Sequence, residues 1–245
     1  FVDIGDEKQA FVHYLDLGLY FNSFDEFVKR INPNSDNKGI YKHIKPGPIL
    51  EKEGRIENVL TPGQMIIVQI VKEPISTKGS RLTAEISLAG RNIVLLPFAE
   101  KVSVSQKISS KEEKRRLETL VKSILPKNYG AIIRTAAEGK NAAVLDAEVM
   151  SLVEKWETSW KKLAKSKDVQ LLFTEYSKTT TILRDLLNDS FSNIYVNDEN
   201  IYEETRKYIS LISPEQEKIV KLYKDKDPIF DHFEVTRQIK SSFGK

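Results

Sequence analysis

Two hydrophobic periods alternate along this chain, and the switches between them outline its architecture. Leu82-Thr83-Ala84-Glu85-Ile86-Ser87-Leu88 alternates strictly between apolar and polar residues, which predicts a strand with one wet face. Met65-Ile66-Ile67-Val68-Gln69-Ile70-Val71 is almost continuously apolar and reads as a strand buried on both faces. Phe1-Val2-Asp3-Ile4-Gly5 and Gln9-Ala10-Phe11-Val12-His13 flank a turn at Gly5-Asp6-Glu7-Lys8, so they predict a hairpin carrying Phe1 and Phe11. Between the later strands, Lys72 to Arg81 form a loop with a basic tip at Lys78-Gly79. Short strands, aromatics on the first two and a lysine-glycine loop predict an OB-fold β-barrel over residues 1–89. That architecture binds single-stranded nucleic acid by stacking bases on aromatics beside a cationic groove. The competing reading makes Phe1 and Phe11 ordinary barrel core. Residues 18–62 break the rhythm with Asn32-Pro33-Asn34-Ser35-Asp36-Asn37 and Pro46-Gly47-Pro48, a loop composition that reads as an excursion from the barrel.

Beyond Gly90 the helical period takes over. Ile93-Val94-Leu95-Leu96-Pro97 is a buried strand. Ser110 with Glu113 then forms a capping-box signature, and Leu117, Leu120, Val121 and Ile124 mark one helical face that Pro126 and Gly130 stop. Leu145, Val149, Leu152, Val153, Trp156, Trp160 and Leu163 recur at three- and four-residue steps, which predicts a long helix over 142–166 with both tryptophans on its core face. The tail alternates strands at 171–173, 194–196 and 219–222 with helices near 182–187 and 198–212 and a last helical stretch, an α/β pattern. Phe1–Gly5 reads as a strand already under way and Ser241–Lys245 as an element not yet finished. Both ends therefore look cut from a longer protein.

Chemistry concentrates around Gly130-Ala131-Ile132-Ile133-Arg134-Thr135-Ala136-Ala137-Glu138-Gly139-Lys140. A short buried strand delivers an arginine and a hydroxyl into a small-residue loop ahead of a helix. A guanidinium matches phosphate oxygens bidentately, a threonine hydroxyl adds a donor, and a following helix N-terminus favours negative charge. The plainer reading is that Arg134 and Thr135 end a strand at the surface. Charge favours the phosphate: residues 101–140 hold ten Lys/Arg against four Asp/Glu, a local surplus of six where the whole chain has +3.

At 245 residues and 40% apolar content the chain can build two or three modules with real cores. Zero cysteine excludes disulfides, thiolate metal sites and cysteine catalysis, and three histidines without ligand spacing argue against zinc. No apolar run approaches the roughly 18 residues of a membrane span and no secretory leader opens the sequence, so a cytoplasmic protein is expected.

Taken in order, these pieces resemble the N-terminal half of the ribonuclease E/G family of bacterial endoribonucleases over essentially the whole chain. The resemblance rests on Phe1–Gly5, on Val68-Gln69-Ile70 with Lys72-Glu73 and Lys78-Gly79, on Ile86-Ser87-Leu88-Ala89-Gly90, on Val94–Pro97 and on Ile133-Arg134-Thr135-Ala136. It continues through Leu145 with Trp156, Arg184-Asp185, Lys221-Leu222-Tyr223 and Phe230. It implies a mixed α/β multi-domain chain: an OB-fold over 1–89, an α+β sensor of RNA 5′ ends over 90–179 and part of a ribonuclease H-like α/β domain over 180–245. By the same resemblance Phe1, Phe11 and Lys78 contact single-stranded RNA. Arg134 and Thr135 grip a 5′-monophosphate, with backbone groups at Gly90 and Val94 completing the pocket. Well-known members are basic near Gln106, where Lys107 is the nearest cation here.

Family catalysis uses paired aspartates holding magnesium, in a nuclease domain that would begin after Lys245, so no catalytic residue and no metal ligand is expected within this chain. The cysteine motif through which some members share zinc between protomers is absent. The implied protein is a magnesium-dependent, single-strand-specific endoribonuclease of RNA processing and decay, with a homo-oligomeric parent. The alternative is a non-catalytic RNA-binding module such as a translation or ribosome-assembly factor. A duplex-specific ribonuclease H is disfavoured, because no cluster of acids sits at matching strand positions in 180–245.

Overall fold

In the computed structural model, which describes residues 1–31, 40–163, 168–175, 177–188 and 190–244, the chain divides into two units, Phe1–Thr174 and Glu175–Lys245. It is mixed α/β, as the alternation of periods predicts.

The first unit begins with short ladders. Val2 bridges Ala10 antiparallel and Phe11 bridges Arg81 in parallel, while β1 (Gln69–Lys72) pairs antiparallel with β2 (Arg81–Thr83) through an irregularity between Ile70 and Lys72. Among the described residues these ladders remain open, and no closed barrel forms. The apolar run at 65–71 is not buried on both faces: Ile67 is buried, but Met65, Ile70 and Val71 are exposed. Its ladder has a partner on one edge only, and two strands cannot cover two faces. The alternating segment keeps its buried positions, Leu82, Ala84, Ile86 and Leu88, but it is not one strand: β2 ends at Thr83 and the strand at Leu88–Ala89 belongs to another sheet. Ala10, Val12, Leu17, Phe21, Leu82 and Ala84 form the small core beneath these ladders.

The segment read as a loop excursion contains a ten-residue helix, α1 (Phe21–Arg30), followed after the undescribed residues 32–39 by the short α2 (Ile40–His43). The asparagine-rich stretch at 32–37 lies outside the described residues. Phe21 of α1 enters the small core, while Phe24 and Phe27 enter the larger one beside it. One amphipathic helix therefore joins the two cores. Phe27 meets Tyr41, Phe98 and Trp160 edge-on, with ring centroids 5.5–5.7 Å apart. Asn128, at φ 68°, donates from its amide to the carbonyls of Tyr41 and Ile44. The Tyr41 hydroxyl donates to Asn128 O and accepts from Phe98 N–H, both at 2.9 Å. Burial pushes the Tyr41 hydroxyl pKa well above its ordinary value.

The larger core lies on a four-stranded sheet of order β3 (Leu88–Ala89), β4 (Ile93–Pro97), β6 (Tyr129–Ile133), β5 (Val102–Val104). All neighbours are antiparallel except β5 and β6, whose crossover is α3 (Lys111–Ile124). Ser110 caps α3 by accepting the Glu113 N–H. The long helix appears as α4 (Ala142–Trp160), capped by Asn141, with Leu145, Val149, Trp156 and Trp160 buried. The end of the expected 142–166 span falls partly outside the described residues. Leu171–Phe173 is not a strand. Leu172 and Phe173 pack against the core without a ladder, and Lys162 Nζ donates to the Leu172 carbonyl at 2.9 Å.

The second unit holds α5 (Lys178–Leu186), β7 (Ile194–Val196), α6 (Glu199–Ile212), β8 (Val220–Leu222), α7 (Ile229–His232) and α8 (Val235–Phe243). β7 and β8 are parallel, Ile194 beside Val220, over a core of Leu183, Leu187, Val196, Tyr208, Ile209 and Val220. Asp198 caps α6 through the Ile201 N–H, at the start the sequence indicates. No helix among the described residues is long and apolar enough to cross a membrane.

Candidate nucleic-acid interface

β5 and β6 run parallel with Val104 level with Ile133, so the residues that follow them leave the sheet side by side. Ser105 N–H donates to the Ile133 carbonyl at 2.8 Å. This places the Ser105 and Thr135 hydroxyl oxygens 3.2 Å apart. The Lys107 N–H donates to Ser105 Oγ at 3.3 Å, while the Lys107 side chain stays exposed. Lys114, one turn into α3, reaches back to donate from Nζ to the Gln106 carbonyl at 3.4 Å, which sets a second cation beside the Gln106 backbone.

On the other side of β6, Arg134 turns toward the β3–β4 connection. Its N–H donates to the Asn92 carbonyl at 2.8 Å, and its Nη1 donates to the Gly90 carbonyl at 3.0 Å. Gly90 therefore gives its carbonyl to the half-buried guanidinium, and its N–H donates to Ile93 O at 2.8 Å. The buried Asn92 donates from its N–H and Nδ2 to the Glu148 carboxylate of α4, at 3.0 and 2.8 Å. A Cβ on Gly90 would stand 2.8 Å from the Ile93 carbonyl oxygen and 2.2 Å from Glu148 Oε1, so a side chain here would push on the β3–β4 connection and displace the carboxylate that holds Asn92. Val94 sits inside β4, level with Ala89 on one side and Ile132 on the other.

The loop after Thr135 is fastened to α3. Glu113 accepts two 2.7 Å bonds from Arg116 and the Gly139 N–H at 2.8 Å, and Arg116 Nη2 also donates to the Lys140 carbonyl at 3.0 Å. The capping box is thus half made: Ser110 does its part, while the Glu113 carboxylate goes to the loop. The Arg116 bonds, then the Gly139 N–H, hold the Glu113 carboxyl at about 2.

The candidate RNA-contact residues gather on the N-terminal ladders. The Val2–Ala10 bridge sets Phe1 level with Phe11. Phe1 is 92% exposed, and Phe11 is half-buried and edge-on to His13 at 5.9 Å, so neither belongs to the core; Ala10 and Val12 do. Lys78 closes a tight turn with Ile75, each N–H donating to the other's carbonyl. The next residue has to be small, because a Cβ on Gly79 would stand 2.1 Å from the Gln9 carbonyl. The turn thus lies directly on the strand that carries Phe11, and Lys8 Nζ donates to the Ser76 carbonyl from the facing turn. Phe1, Phe11, His13, Lys8 and Lys78 share one exposed region.

Sequence reasoning missed Ser105, Asn92, Glu148 and Lys114. Each acts through a pairing that spacing does not show, above all the parallel alignment of the short strand β5. The end of β6 thus presents a guanidinium on its β4 side and two hydroxyls with lysines on its β5 side, chemistry suited to binding anions. Among the described residues no three Asp, Glu, His or Cys side chains gather as a cation site.

The family described as "Ribonuclease E/G family" matches residues 87–245. The chain is 32% identical over 245 residues to "Ribonuclease G" of Haemophilus influenzae, covering all of this chain and 46% of the relative. It is 32% identical over 241 residues to "Ribonuclease E/G-like protein" of Pyropia yezoensis, covering 94% of this chain and 47% of the relative. It is 28% identical over 246 residues to "Ribonuclease E" of Nostoc sp., covering 99% and 32%. The chain thus spans about half the length of the ribonuclease G relatives and a third of that ribonuclease E, and it belongs to the ribonuclease E/G family.

Proposed function

We propose that this chain is the RNA-binding and 5′-monophosphate-sensing portion of a magnesium-dependent, single-strand-specific endoribonuclease acting in cytoplasmic RNA processing and decay. The observation that carries the reading is the Arg134 guanidinium, oriented by the Gly90 carbonyl at 3.0 Å at the strand end that also presents the Thr135 and Ser105 hydroxyls. A terminal monophosphate offers more charge and more free oxygens than an internal phosphodiester, so a guanidinium and a hydroxyl fixed in this way favour it. Lys107 and Lys114 add positive charge beside the site.

Residues 1–89 serve as an OB-fold RNA-binding domain, 90–179 as the sensor and 180–245 as part of a ribonuclease H-like domain. In the first, Phe1 and Phe11 stack bases while Lys78 follows the backbone. The relatives named as ribonucleases G and E support an endoribonuclease as the parent, and we propose that it is a homo-oligomer. In this reading the magnesium of the parent is held by aspartates of its nuclease domain; among the described residues no three Asp, Glu, His or Cys side chains gather to hold it.

The reading is tested by titrating the protein with one labelled single-stranded RNA bearing either a 5′-monophosphate or a 5′-hydroxyl, in the same salt. The expected result is tighter binding of the monophosphate. Equal affinity for both would remove the sensing and leave general RNA binding.

A further inference from the structure

Resting on that reading of the Arg134 site, we infer that Ser105 is a positioning residue which presets the Thr135 hydroxyl as a donor to the bound anion. A hydroxyl has one proton and two lone pairs. Ser105 Oγ accepts the Lys107 N–H at 3.3 Å and lies 3.2 Å from Thr135 Oγ1, with Ser105 half-buried and Thr135 exposed. With the Ser105 proton pointing at Thr135 Oγ1, the Thr135 proton points outward, where an incoming phosphate oxygen accepts it. The chain then runs in one direction, from amide to Ser105 to Thr135 to anion, and each bond polarises the next. Only hydroxyl rotations are involved, and no covalent bond changes.

The arrangement also removes a cost. A lone threonine hydroxyl that turns from water to a ligand leaves its own oxygen short of a donor. Here Ser105 supplies that donor from the adjoining strand end, in the place a water would otherwise take. Its place is fixed by the ladder, since Ser105 N–H is held by the carbonyl of Ile133, the last residue of β6 before Arg134. The two hydroxyls sit 30 residues apart in sequence, brought together by the parallel strands β5 and β6. A site wired in this way offers donors to the ligand, which suits phosphate oxygens, and does little for a 5′-hydroxyl.

The test measures affinities for one single-stranded RNA with a 5′-monophosphate or a 5′-hydroxyl, using wild type, Ser105→Ala, Ser105→Thr, Thr135→Val and the double variant Ser105→Ala/Thr135→Val. Ser105→Ala should lower the monophosphate preference about two- to tenfold, the loss expected for one neutral hydrogen bond. Ser105→Thr, which keeps the hydroxyl, should restore it. The double variant should lose no more than Thr135→Val alone, because the effect of Ser105 passes through Thr135. If wild type prefers the monophosphate and Ser105→Ala keeps that preference, or if the two losses simply add, the relay is overturned while the sensor stands. If wild type shows no preference, the sensor reading and the relay fall together.

Discussion

The Glu113 carboxylate, in the first turn of α3, accepts the Gly139 N–H at 2.8 Å and so ties the loop that carries Thr135 to the helix that follows Ser105. Its pKa of about 2, against an ordinary value of 4.5, makes the tie sensitive to acid. A lowered folded-state pKa stabilises fully above the unfolded value, and the contribution is lost as pH falls toward the folded one. Glu113→Gln should therefore cost about 1 kcal/mol or less near neutrality, since the ion pair is a surface one. The gap to wild type should narrow between pH 4.5 and about 2. Urea unfolding of both proteins across that range checks it, and a pH-independent gap would contradict it.

α1 is predicted to be essential to the first unit, because Phe21 and Phe27 of one helix lie in two different cores. Phe27→Ala empties a fully buried ring site and should cost about 3–5 kcal/mol. A loss below 1 kcal/mol by equilibrium unfolding would return residues 18–62 to the status of a loop.

Phe11 is half-buried and outside both cores, so Phe11→Ala should leave stability nearly unchanged. It should weaken single-stranded RNA binding by about 1–3 kcal/mol with little dependence on base identity. Lys78→Ala, removing the proposed contact to the RNA backbone, should reduce the slope of log K against log salt by about 0.7. If Phe11→Ala instead unfolds the protein at unchanged affinity, its ring belongs to the packing.

On the proposed reading, in which the metal-holding aspartates belong to the nuclease domain of the parent, this polypeptide should not cut RNA when magnesium is supplied. Incubation with a labelled single-stranded oligonucleotide and magnesium decides it. Metal-dependent cutting that follows the protein through purification would place a catalytic centre inside these residues.

What could be read in the sequence and what could not divides by the range of the interactions. The α4 face, its two tryptophans, the Ser110 and Asp198 starts and the alternation at 82–88 are local signals, each set by neighbours within a few residues. The strand end at Arg134 and Thr135 was visible as a local pattern, an apolar triplet followed by a cation and a hydroxyl. Ser105 was not, because β5 is three residues long and its meaning comes from lying beside Ile133. α1 was hidden by the Asn- and Pro-rich composition that follows it, although Phe21, Phe24 and Phe27 are spaced as one helical face. The doubly buried strand at 65–71 failed for a related reason, since an apolar run does not show whether a second neighbour exists to cover it.

The most direct test of the central claim compares wild type and Arg134→Gln for one single-stranded RNA carrying either 5′ end. On the proposed reading, the guanidinium that the Gly90 carbonyl orients makes a charge-assisted bond to the 5′-phosphate, worth on the order of 1.5–3 kcal/mol. Its loss should therefore lower the monophosphate-over-hydroxyl ratio roughly ten- to a hundredfold while leaving 5′-hydroxyl binding intact. An unchanged ratio, or an equal loss on both ends, would contradict the assignment of Arg134 to a 5′-phosphate pocket.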